Sequence, residues 1–350
     1  MNGTLQIGVV GAGWPSWQHM RGYREHGEAE VVALCDSNPT RLQEIADEYG
    51  VPRRYTSYDE MLDSETLDAV SVCTPNAFHA EMAVKAMRNG AHVHCEKPMA
   101  VSTEGAREMT AVSRETGRIL MVGFQRRFGS EAQYLKRAID AGDLGSIYRA
   151  RAVWVRRRGI PGMGGWFTTK SLSGGGALID IGVHVLDLAL WFMGFPEPTN
   201  VAASVGSKFG VRGRGGRSAA HRPRASSETF DVDDFAFAHV NFGNDRSLSL
   251  ETSWAGYIEH DTVTIELWGE EGGARLWPLQ IFTDHHGEPV TISPRLPDTN
   301  LHTLSVRHFV NVVLGREELI CLPEHGVKSI ELIETMYHAA GLAGPEAAER

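Results

Sequence analysis

The sequence predicts an α/β protein in two parts, a doubly wound parallel sheet followed by an α+β domain with an open, predominantly antiparallel sheet. Short apolar runs alternate with helical patterns through residue 122. Beyond residue 123, several strand-like runs follow one another through polar turns without intervening helices. We therefore expect two domains, 1–122 and 123–350, with the final helix able to pack back on the first.

The composition is that of a globular protein with a sizeable core. The chain has 350 residues, 42% of them hydrophobic and 22% charged, and a formal net charge of -10. This charge argues against a nucleic-acid or anionic-membrane partner, because phosphate binding needs clustered positive charge. There is no signal-like N-terminal segment and no uninterrupted run of 18 apolar residues. We expect a cytoplasmic protein that acts on small molecules.

The first strand and helix enclose a glycine-rich turn. Strand-like Leu5 to Val10 is followed by Gly11-Ala12-Gly13, and a helical pattern then runs to about His26. Gly11 would permit the tight turn, and Gly13 would let a pyrophosphate approach the positive end of the helix. Trp14, directly after Gly13, is included in this cofactor site. The first domain is therefore predicted to be a dinucleotide-binding Rossmann domain.

The second strand predicts which dinucleotide is bound. Val31 to Cys35 ends in Asp36, about 23 residues beyond Gly13, where an acid can hydrogen-bond the two adenosine ribose hydroxyls. A carboxylate there also repels a 2′-phosphate, so NAD is predicted, while nearby Arg41 leaves NADP open. The structural alternative for Asp36 is a helix cap before Pro39.

Two later strands of this domain end in unusual residues. Strand Asp68 to Val72 leads into Thr74-Pro75-Asn76 and His79, and strand Ala91 to Cys95 leads into Glu96-Lys97-Pro98. Ligands bind at the carboxyl ends of parallel strands. The fold does not require a lysine after an apolar strand at this edge, so Lys97 is a candidate ligand-binding residue. The alternative is an ordinary lysine in a solvated turn.

The second domain begins with a helix, Ser130 to Ala141, and a strand, Ser146 to Arg157, before a Gly/Trp-rich loop from 159 to 173. The later predicted strands are Asn200 to Phe209, Val232 to Phe242, Ser247 to Trp254, Asp261 to Trp268 and Ala274 to Trp277. Helices from about Leu301 to Leu314 and His325 to Ala340 close the chain. An open sheet needs cover on both faces, so we expect a homodimer or homotetramer.

One stretch, Gly174 to Asp187, combines three glycines with polar groups in an apolar helix. From Ala177 to Met193 every residue is apolar or glycine except Asp180, His184 and Asp187. At about 100° per residue these three share one narrow face. Buried acid/base groups are costly unless they are paired or used. The stretch is either a satisfied core pair or part of an active site.

An arginine-rich insertion, Val211 to Arg224, interrupts the strands of the second domain. It carries Arg212, Arg214, Arg217, Arg222 and Arg224 among Gly, Ser and Pro. Its low hydrophobicity predicts a mobile loop. A site for a phosphate-bearing substrate or an acidic partner is the functional alternative.

Five motifs in order give the chain a resemblance that spans nearly its whole length. They are Gly-Ala-Gly at 11–13, Cys73-Thr74-Pro75-Asn76 with His79, Glu96-Lys97-Pro98, Gly123-Phe124-Gln125-Arg126-Arg127-Phe128, and Gly-Gly-Gly-x-x-x-Asp-x-Gly-x-His-x-x-Asp at 174–187. The chain resembles the glucose-fructose oxidoreductase, inositol dehydrogenase and rhizopine-catabolism (Gfo/Idh/MocA) family. This implies an oxidoreductase that transfers a hydride between NAD(P) and a secondary alcohol of a sugar, cyclitol or sugar derivative.

The resemblance also implies roles for individual residues. Lys97, Asp180 and His184 would be catalytic, with His184 as the base and Lys97 on the reacting oxygen, as alcohol oxidation requires. Asp180 would orient the imidazole or the sugar. The residues expected to line the ribose and nicotinamide are Thr74, Asn76, His79 and Glu96. Arg126 and Trp166 are expected to contact the substrate, and no metal is expected.

Other functions stay open at this point. Asp180 and His184 could be two ligands of one metal ion, with His260 or His302 as a third. A redox-inactive sensor could bind a dinucleotide without turning it over. Some relatives in the resembled family keep a tightly held NAD for cleavage or epimerisation through a transient ketone.

Overall fold

The computed structural model describes residues 3–216 and 229–344. The chain divides into two compact units. The first unit comprises the residues up to Gln125 together with Asn300–Ile330, and the second comprises Arg126–Thr299 together with the residues from Glu331 onward. The arginine-rich insertion is described only as far as residue 216, so Arg217, Arg222 and Arg224 lie outside the described residues.

Strands and helices alternate up to Gly123. The strands are β1 (Leu5–Val10), β2 (Ala29–Cys35), β3 (Arg53–Tyr55), β4 (Ala69–Val72), β5 (His92–Glu96) and β6 (Leu120–Gly123). The helices between them are α1 (Trp14–His26), α2 (Pro39–Tyr49), α3 (Tyr58–Ser64), α4 (His79–Arg88) and α5 (Thr103–Thr116). The three-residue β3, which the sequence analysis leaves out, is too short to show a periodic pattern.

The first sheet has the order β3-β2-β1-β4-β5-β6, and its strands pair in parallel. The order reverses at β1, so the crevice between β1 and β4 is the switch point where such sheets bind ligands. Val10 pairs with Val72, and Val72 pairs with Cys95. The turns that follow β1, β4 and β5 therefore meet at one edge, and the predicted doubly wound sheet is confirmed.

The second unit adds helices and eight further strands among the described residues. The helices are α6 (Ser130–Asp140), α7 (Lys170–Ser173) and α8 (Val183–Met193). The strands are β7 (Ile147–Val155), β8 (Pro198–Gly206), β9 (Phe235–Phe242), β10 (Ser247–Ser253), β11 (Thr262–Gly269), β12 (Gly273–Leu276), β13 (Gln280–His285) and β14 (Glu288–Ile292). Two helices close the chain, α9 (Leu301–Val313) and α10 (Pro323–Ala339).

The second sheet has the order β14-β13-β12-β11-β7-β10-β9-β8. Its pairs are antiparallel except β10 with β7. The predicted open, mostly antiparallel sheet is confirmed. The β13–β14 hairpin was not predicted, because its exposed, polar residues lack the apolar alternation that marks a half-buried strand.

Residues Asn300–Ile330, which the sequence analysis assigns to the second domain, pack within the first unit. A Cβ atom on Gly22 of α1 would lie 2.6 Å from Cβ of Val306 on α9, so the bare glycine lets the two helices approach closely. Arg316 donates two hydrogen bonds to the Glu28 carboxylate, at 2.6 and 2.8 Å. Residues Asn300–Ile330 therefore belong to the first unit through contacts with residues nearly 300 positions earlier in the chain, which local sequence patterns do not show.

The apolar helix of the sequence analysis is less regular than expected. Leu178–Gly182 forms a π-helical turn, and α8 begins only at Val183. The prediction of one regular α-helix was wrong here, because i to i+5 bonding widens the turn around Asp180. The stretch Lys170–Met193 is long and apolar enough to span a membrane, but 94% of its most apolar window is buried inside the protein.

A buried ion pair anchors α8. The guanidinium of Arg127 donates to both carboxylate oxygens of Asp187, from Nε at 2.9 Å and from Nη2 at 2.6 Å. The two side chains are 0% and 2% exposed, and Arg127 also lies over the Trp191 ring. Burial raises the pKa of Asp187, while the neighbouring guanidinium opposes that shift. Asp187 is therefore a structural residue of this helix.

We expect Arg127→Met to lower the free energy of unfolding by about 3–5 kcal/mol, because it leaves the Asp187 carboxylate buried without its partner. Urea denaturation followed by circular dichroism measures this loss. The double variant Arg127→Met/Asp187→Leu should lose less than Arg127→Met alone, since no unpaired charge is left. An Arg127→Met protein as stable as wild type would contradict the assignment.

Candidate active site

The turn after β1 is shaped by two glycines with different surroundings. Gly11 has φ 91°, and a Cβ there would lie 2.6 Å from the carbonyl oxygen of Cys73. A Cβ on Gly13 would meet only Pro15, at 3.7 Å, so the space beside Gly13 is open. No acidic side chain occupies the first turn of α1, and Gly13 provides no side-chain cap. The amide end of α1 is therefore suited to a pyrophosphate.

Asp36 is fixed beside this turn by backbone amides. Its Oδ2 accepts a hydrogen bond from the Ala12 amide at 2.7 Å, and its Oδ1 accepts one from the Asn38 amide at 2.8 Å. The structure does not support the helix-cap alternative for Asp36, because Asn38 caps α2 by accepting from the amides of Thr40 and Arg41. The carboxylate is thus available for a ribose.

The turns after β4 and β5 are joined by His79. Its Nδ1 lies 2.7 Å from the carbonyl oxygen of Pro98, and its Nε2 lies 2.9 Å from that of Thr74. Burial lowers the pKa of His79, opposed by these carbonyl groups. Since both ring nitrogens face backbone, the arrangement favours a positioning role over the predicted direct contact with the cofactor.

The same edge offers polar groups that suit a cofactor. The Thr74 hydroxyl oxygen is buried and has no hydrogen-bond partner within the described residues. Asn76 is 5% exposed and begins a short 3₁₀ helix, Asn76–Phe78. Trp14 is 55% exposed, and its ring packs edge-on against His302. Together with the open space at Gly13, these groups fit a dinucleotide lying along the edge.

A buried hydrogen-bond chain leads to Glu96. Glu96 Oε1 lies 3.0 Å from His19 Nε2, and His19 Nδ1 lies 3.0 Å from the Ser71 hydroxyl, which lies 2.8 Å from that of Tyr23. An ionised carboxylate only accepts, so Nε2 of His19 carries the proton. The sequence analysis missed this chain, although His19 and Tyr23, four residues apart in α1, share one face of that helix.

The chain keeps Glu96 charged next to Lys97. Burial raises the pKa of Glu96, but the hydrogen bond from His19 and the electrostatic interactions with His19, His302 and Lys97 together hold it below its usual range. Glu96 Oε2 accepts a hydrogen bond from the Lys97 amide at 3.3 Å. A fixed anion therefore lies directly before the predicted catalytic lysine.

In the second unit, Asp233 fixes the start of the π-helical turn. Its Oδ1 accepts from the Gly176 amide at 2.7 Å and from the Tyr337 hydroxyl at 2.6 Å, and its Oδ2 accepts from the Leu178 amide at 2.9 Å. A Cβ on Gly176 would lie 1.7 Å from the Asp233 carbonyl oxygen. This explains the glycine at 176. Asp233 carries no local signal of this role, because its partners lie more than 50 residues away.

Asp180 and His184 are each oriented by an indole. Asp180 Oδ2 accepts a hydrogen bond from Nε1 of the fully buried Trp254, at 2.9 Å. The His184 ring is 5.5 Å from that of Trp154 between centroids, and the residue is 7% exposed. The structure thus places the predicted acid and imidazole on one helical stretch and holds them from two adjacent strand ends.

The predicted substrate residues differ in how they connect to this pair. Arg126 lies over the ring of Trp154, at 4.2 Å, and over that of Trp277, at 5.0 Å. Burial, together with the charge of Arg156, lowers its pKa to about 10. Because Trp154 also contacts His184, Arg126 belongs to the same cluster. Trp166 stacks on Phe167 at 3.7 Å, and its contact with substrate stays a prediction.

The structure gives no support to the metal alternative. Across residues 3–216 and 229–344, no group of three or more His, Cys, Asp and Glu side chains is arranged to hold an ion. Of the proposed third ligands, His260 has an 80% exposed side chain beside Glu259, and His302 packs against Trp14 in the first unit.

The chain matches two family models that together cover most of its length. Residues 5–124 match "Oxidoreductase family, NAD-binding Rossmann fold", and residues 132–275 match "GFO/IDH/MocA C-terminal domain". These matches confirm the resemblance found in the sequence, and the prediction of NAD agrees with the first description.

Individual relatives extend the match over nearly the whole chain. The D-glucoside 3-dehydrogenase of Escherichia coli (strain K12) is 38% identical over 339 residues, covering 96% of this chain and 95% of the relative. A putative UDP-kanosamine synthase oxidoreductase subunit of Amycolatopsis mediterranei (strain S699) is 31% identical over 357 residues, covering 97% of each. The structure of levoglucosan dehydrogenase with NADH and levoglucosan has a TM-score of 0.83 at 22% identity, covering 96% of this chain and 97% of that one.

We expect Asp36→Ser to raise the kcat/KM for NADP relative to NAD by about tenfold or more, because it removes a carboxylate that repels a 2′-phosphate. Steady-state kinetics with both cofactors measure the ratio. Asp63→Ser, at an exposed position of α3, is the matched control and should leave the ratio unchanged. A wild-type preference for NADP would overturn the role given to Asp36.

Proposed function

The chain belongs to the Gfo/Idh/MocA oxidoreductase family, and we propose on this premise that it transfers a hydride between NAD and a secondary alcohol of a sugar, cyclitol or sugar derivative. The observation that carries the proposal is the position of Lys97, directly after β5 at the ligand edge of an NAD-binding sheet and beside the buried Glu96. A cation at this edge can act on a reacting oxygen.

In this proposal, each polar residue has a chemical task. Oxidation of an alcohol needs a base for the hydroxyl proton and a positive group for the oxygen that becomes alkoxide-like. His184 takes the proton, and Lys97 stabilises the developing charge. Asp180, held by the Trp254 indole, orients the imidazole or the sugar. NAD, when bound, supplies the hydride acceptor.

The residues of the first unit would hold the cofactor. The pyrophosphate would lie at the amide end of α1 beside Gly11 and Gly13, and the adenosine ribose would lie on Asp36. Thr74, with its buried hydroxyl, and Asn76 would line the nicotinamide side. His79 and the His19–Glu96 bond would keep the turns at this edge in place.

A sugar substrate is supported by the names of relatives and by the side chains around His184. One relative is named for a D-glucoside and another for UDP-kanosamine synthesis, and a solved neighbour is a complex with levoglucosan. In this chain, Trp154 and Trp277 provide ring faces, and Arg126 provides fixed donors beside them. Aromatic faces and fixed donors suit a polyhydroxylated ring.

A second copy of the chain is the partner that we propose for the second sheet. The face opposite α8 exposes Phe237, Trp268 and Phe282 to 44%, 49% and 40%. Between these rings, Arg151 pairs with Glu251 at 2.8 Å, and Arg149 lies over Trp268. Aromatic residues mixed with both charges on one broad face suit a self-complementary interface.

Lys97→Met should lower kcat/KM for the sugar that the wild type oxidises by about 10²–10³-fold, because it removes the positive group from the reacting oxygen. Fluorescence titration should show NADH affinity near that of the wild type. Lys85→Met, which removes an exposed lysine paired with Asp59 on the surface, is the control and should keep full activity. Turnover by Lys97→Met equal to that of the wild type would contradict the role proposed for Lys97.

We expect light scattering after size-exclusion chromatography to give a mass of two or four chains for the wild type, and Trp268→Glu to shift it toward the single chain. A buried carboxylate at the centre of the interface would lack a partner. Leu322→Glu, at an exposed position of the first unit, should keep the wild-type mass. A monomeric wild type would rule out this use of the sheet face.

A further inference from the structure

A pocket rich in arginine lies at the end of β7, in the second unit. Its volume is about 240 Å³, and it is lined by Arg157, Arg158, Phe209, Arg214, Gly215, Gly256 and Tyr257. Three of these seven residues carry guanidinium groups, in a chain whose formal net charge is -10. The planar, permanently charged guanidinium matches phosphate geometry better than any other side chain.

The loop that carries Phe209, Arg214 and Gly215, which form one wall of this pocket, is fixed by hydrogen bonds to its backbone. Asp234 is fully buried, and its Oδ2 accepts hydrogen bonds from the amides of Phe209 and Gly210, at 2.7 and 2.8 Å. The carbonyl oxygen of Gly215 accepts from the amides of Gly159 and Ile160, both at 3.0 Å. The backbone of this wall is therefore fixed by hydrogen bonds, which lowers the entropy cost of binding a ligand against it.

A carboxylate lies next to the arginines of the pocket, since Asp261 Oδ1 accepts a hydrogen bond from the Arg157 amide at 2.7 Å. Arg157 donates from Nη1 to the backbone carbonyl of Glu259 at 3.0 Å, which leaves its other guanidinium donors for a ligand. Neither Arg157 nor Arg214 forms an ion pair with a carboxylate that the structure describes. The Glu259 side chain is 87% exposed and lies 3.3 Å from His260. A phosphate dianion would accept hydrogen bonds from the guanidinium groups of Arg157 and Arg214.

The pocket also has an aromatic wall. The rings of Phe209 and Tyr257 meet edge to face, with centroids 5.2 Å apart. Tyr257 is 88% exposed, so its ring and hydroxyl are accessible to a ligand in the pocket. Its ring face suits a sugar, and its hydroxyl can donate to a phosphate oxygen.

The ends of β7 and β10 connect the pocket to the Asp180–His184 pair. Trp254 donates to Asp180, and Gly256 of the pocket is two residues further on. Trp154 contacts the His184 ring, and Arg157 is three residues further on. The Arg156 amide donates to the Ser253 carbonyl at 2.9 Å, so the two strand ends lie side by side. Since a residue spans at most about 3.6 Å, the Cα atoms of Arg157 and Gly256 lie within about 11 Å of those of Trp154 and Trp254, respectively.

We propose that this pocket binds the phosphate group of a sugar phosphate whose secondary hydroxyl is oxidised at Asp180 and His184. The inference rests on the proposed function, and it narrows the substrate class to phosphate esters of sugars. The arginines bind the phosphate, the Phe209–Tyr257 wall contacts the ring, and the reacting carbon lies toward His184. A free phosphate ion offers the same chemistry to the arginines, so the test separates the two sources.

The experiment compares α-D-glucose 1-phosphate with methyl α-D-glucoside and D-glucose 6-phosphate with D-glucose, following NADH formation by the wild type. We expect kcat/KM for at least one phosphate to exceed that for its neutral counterpart by about tenfold, with the ratio falling as salt is raised. In Arg158→Ala/Arg214→Ala the ratio should approach one. Arg212→Ala, which alters an exposed arginine of the same loop outside the pocket, should keep the wild-type ratio.

Binding is measured separately by calorimetry with the two sugar phosphates and with inorganic phosphate, so that a failure of catalysis does not hide the site. Tight binding of a sugar phosphate that the double variant loses supports the phosphate site, and if no sugar is oxidised the failure then lies in the proposed function and not in the site. Oxidation of neutral sugars with no preference for phosphates overturns the inference and leaves the proposed function standing. Equal affinity for inorganic phosphate and the sugar phosphates also overturns it, because the pocket would then hold a free anion.

Discussion

The geometry of the acid/base pair depends on two buried carboxylates at either side of it. Asp233 accepts three hydrogen bonds at the start of the π-helical turn, and Asp187 is paired with Arg127 one turn beyond His184. Buried charges are stable only when their partners are in place. The segment between them, which carries Asp180 and His184, therefore has little freedom, as the catalytic role proposed for these two residues requires.

In the first unit, the turns that carry the candidate site residues are fixed by a close glycine contact and by histidine hydrogen bonds. Gly11 lies so close to the Cys73 carbonyl that no side chain fits, and His79 joins the turns after β4 and β5 through two carbonyl groups. The His19–Glu96 bond then keeps an anion next to Lys97. In the proposed function, Lys97 stabilises the alkoxide-like oxygen beside this anion.

Local sequence patterns were enough to predict the two kinds of sheet and the residues at the strand ends. Each of these depends only on a short apolar run and the turn after it. Lys97, Asp36 and the Asp180–His184 pair were selected as candidate site residues in this way, and their roles stay predictions. His19, Asp233 and Trp254 were not, because their partners are 50 or more residues away. The π-helical turn at 178–182 was also missed, since composition does not distinguish it from an α-helix.

The most direct test of the account is the rate of hydride transfer in a single turnover by His184→Ala, with saturating NAD and the sugar that the wild type oxidises. We expect a fall of about 10²–10⁴-fold with NADH binding retained, because the proposed base for the hydroxyl proton is gone. Added imidazole should restore part of the rate through the space that the ring leaves. A rate within about twofold of the wild type would contradict the assignment of His184 as the base.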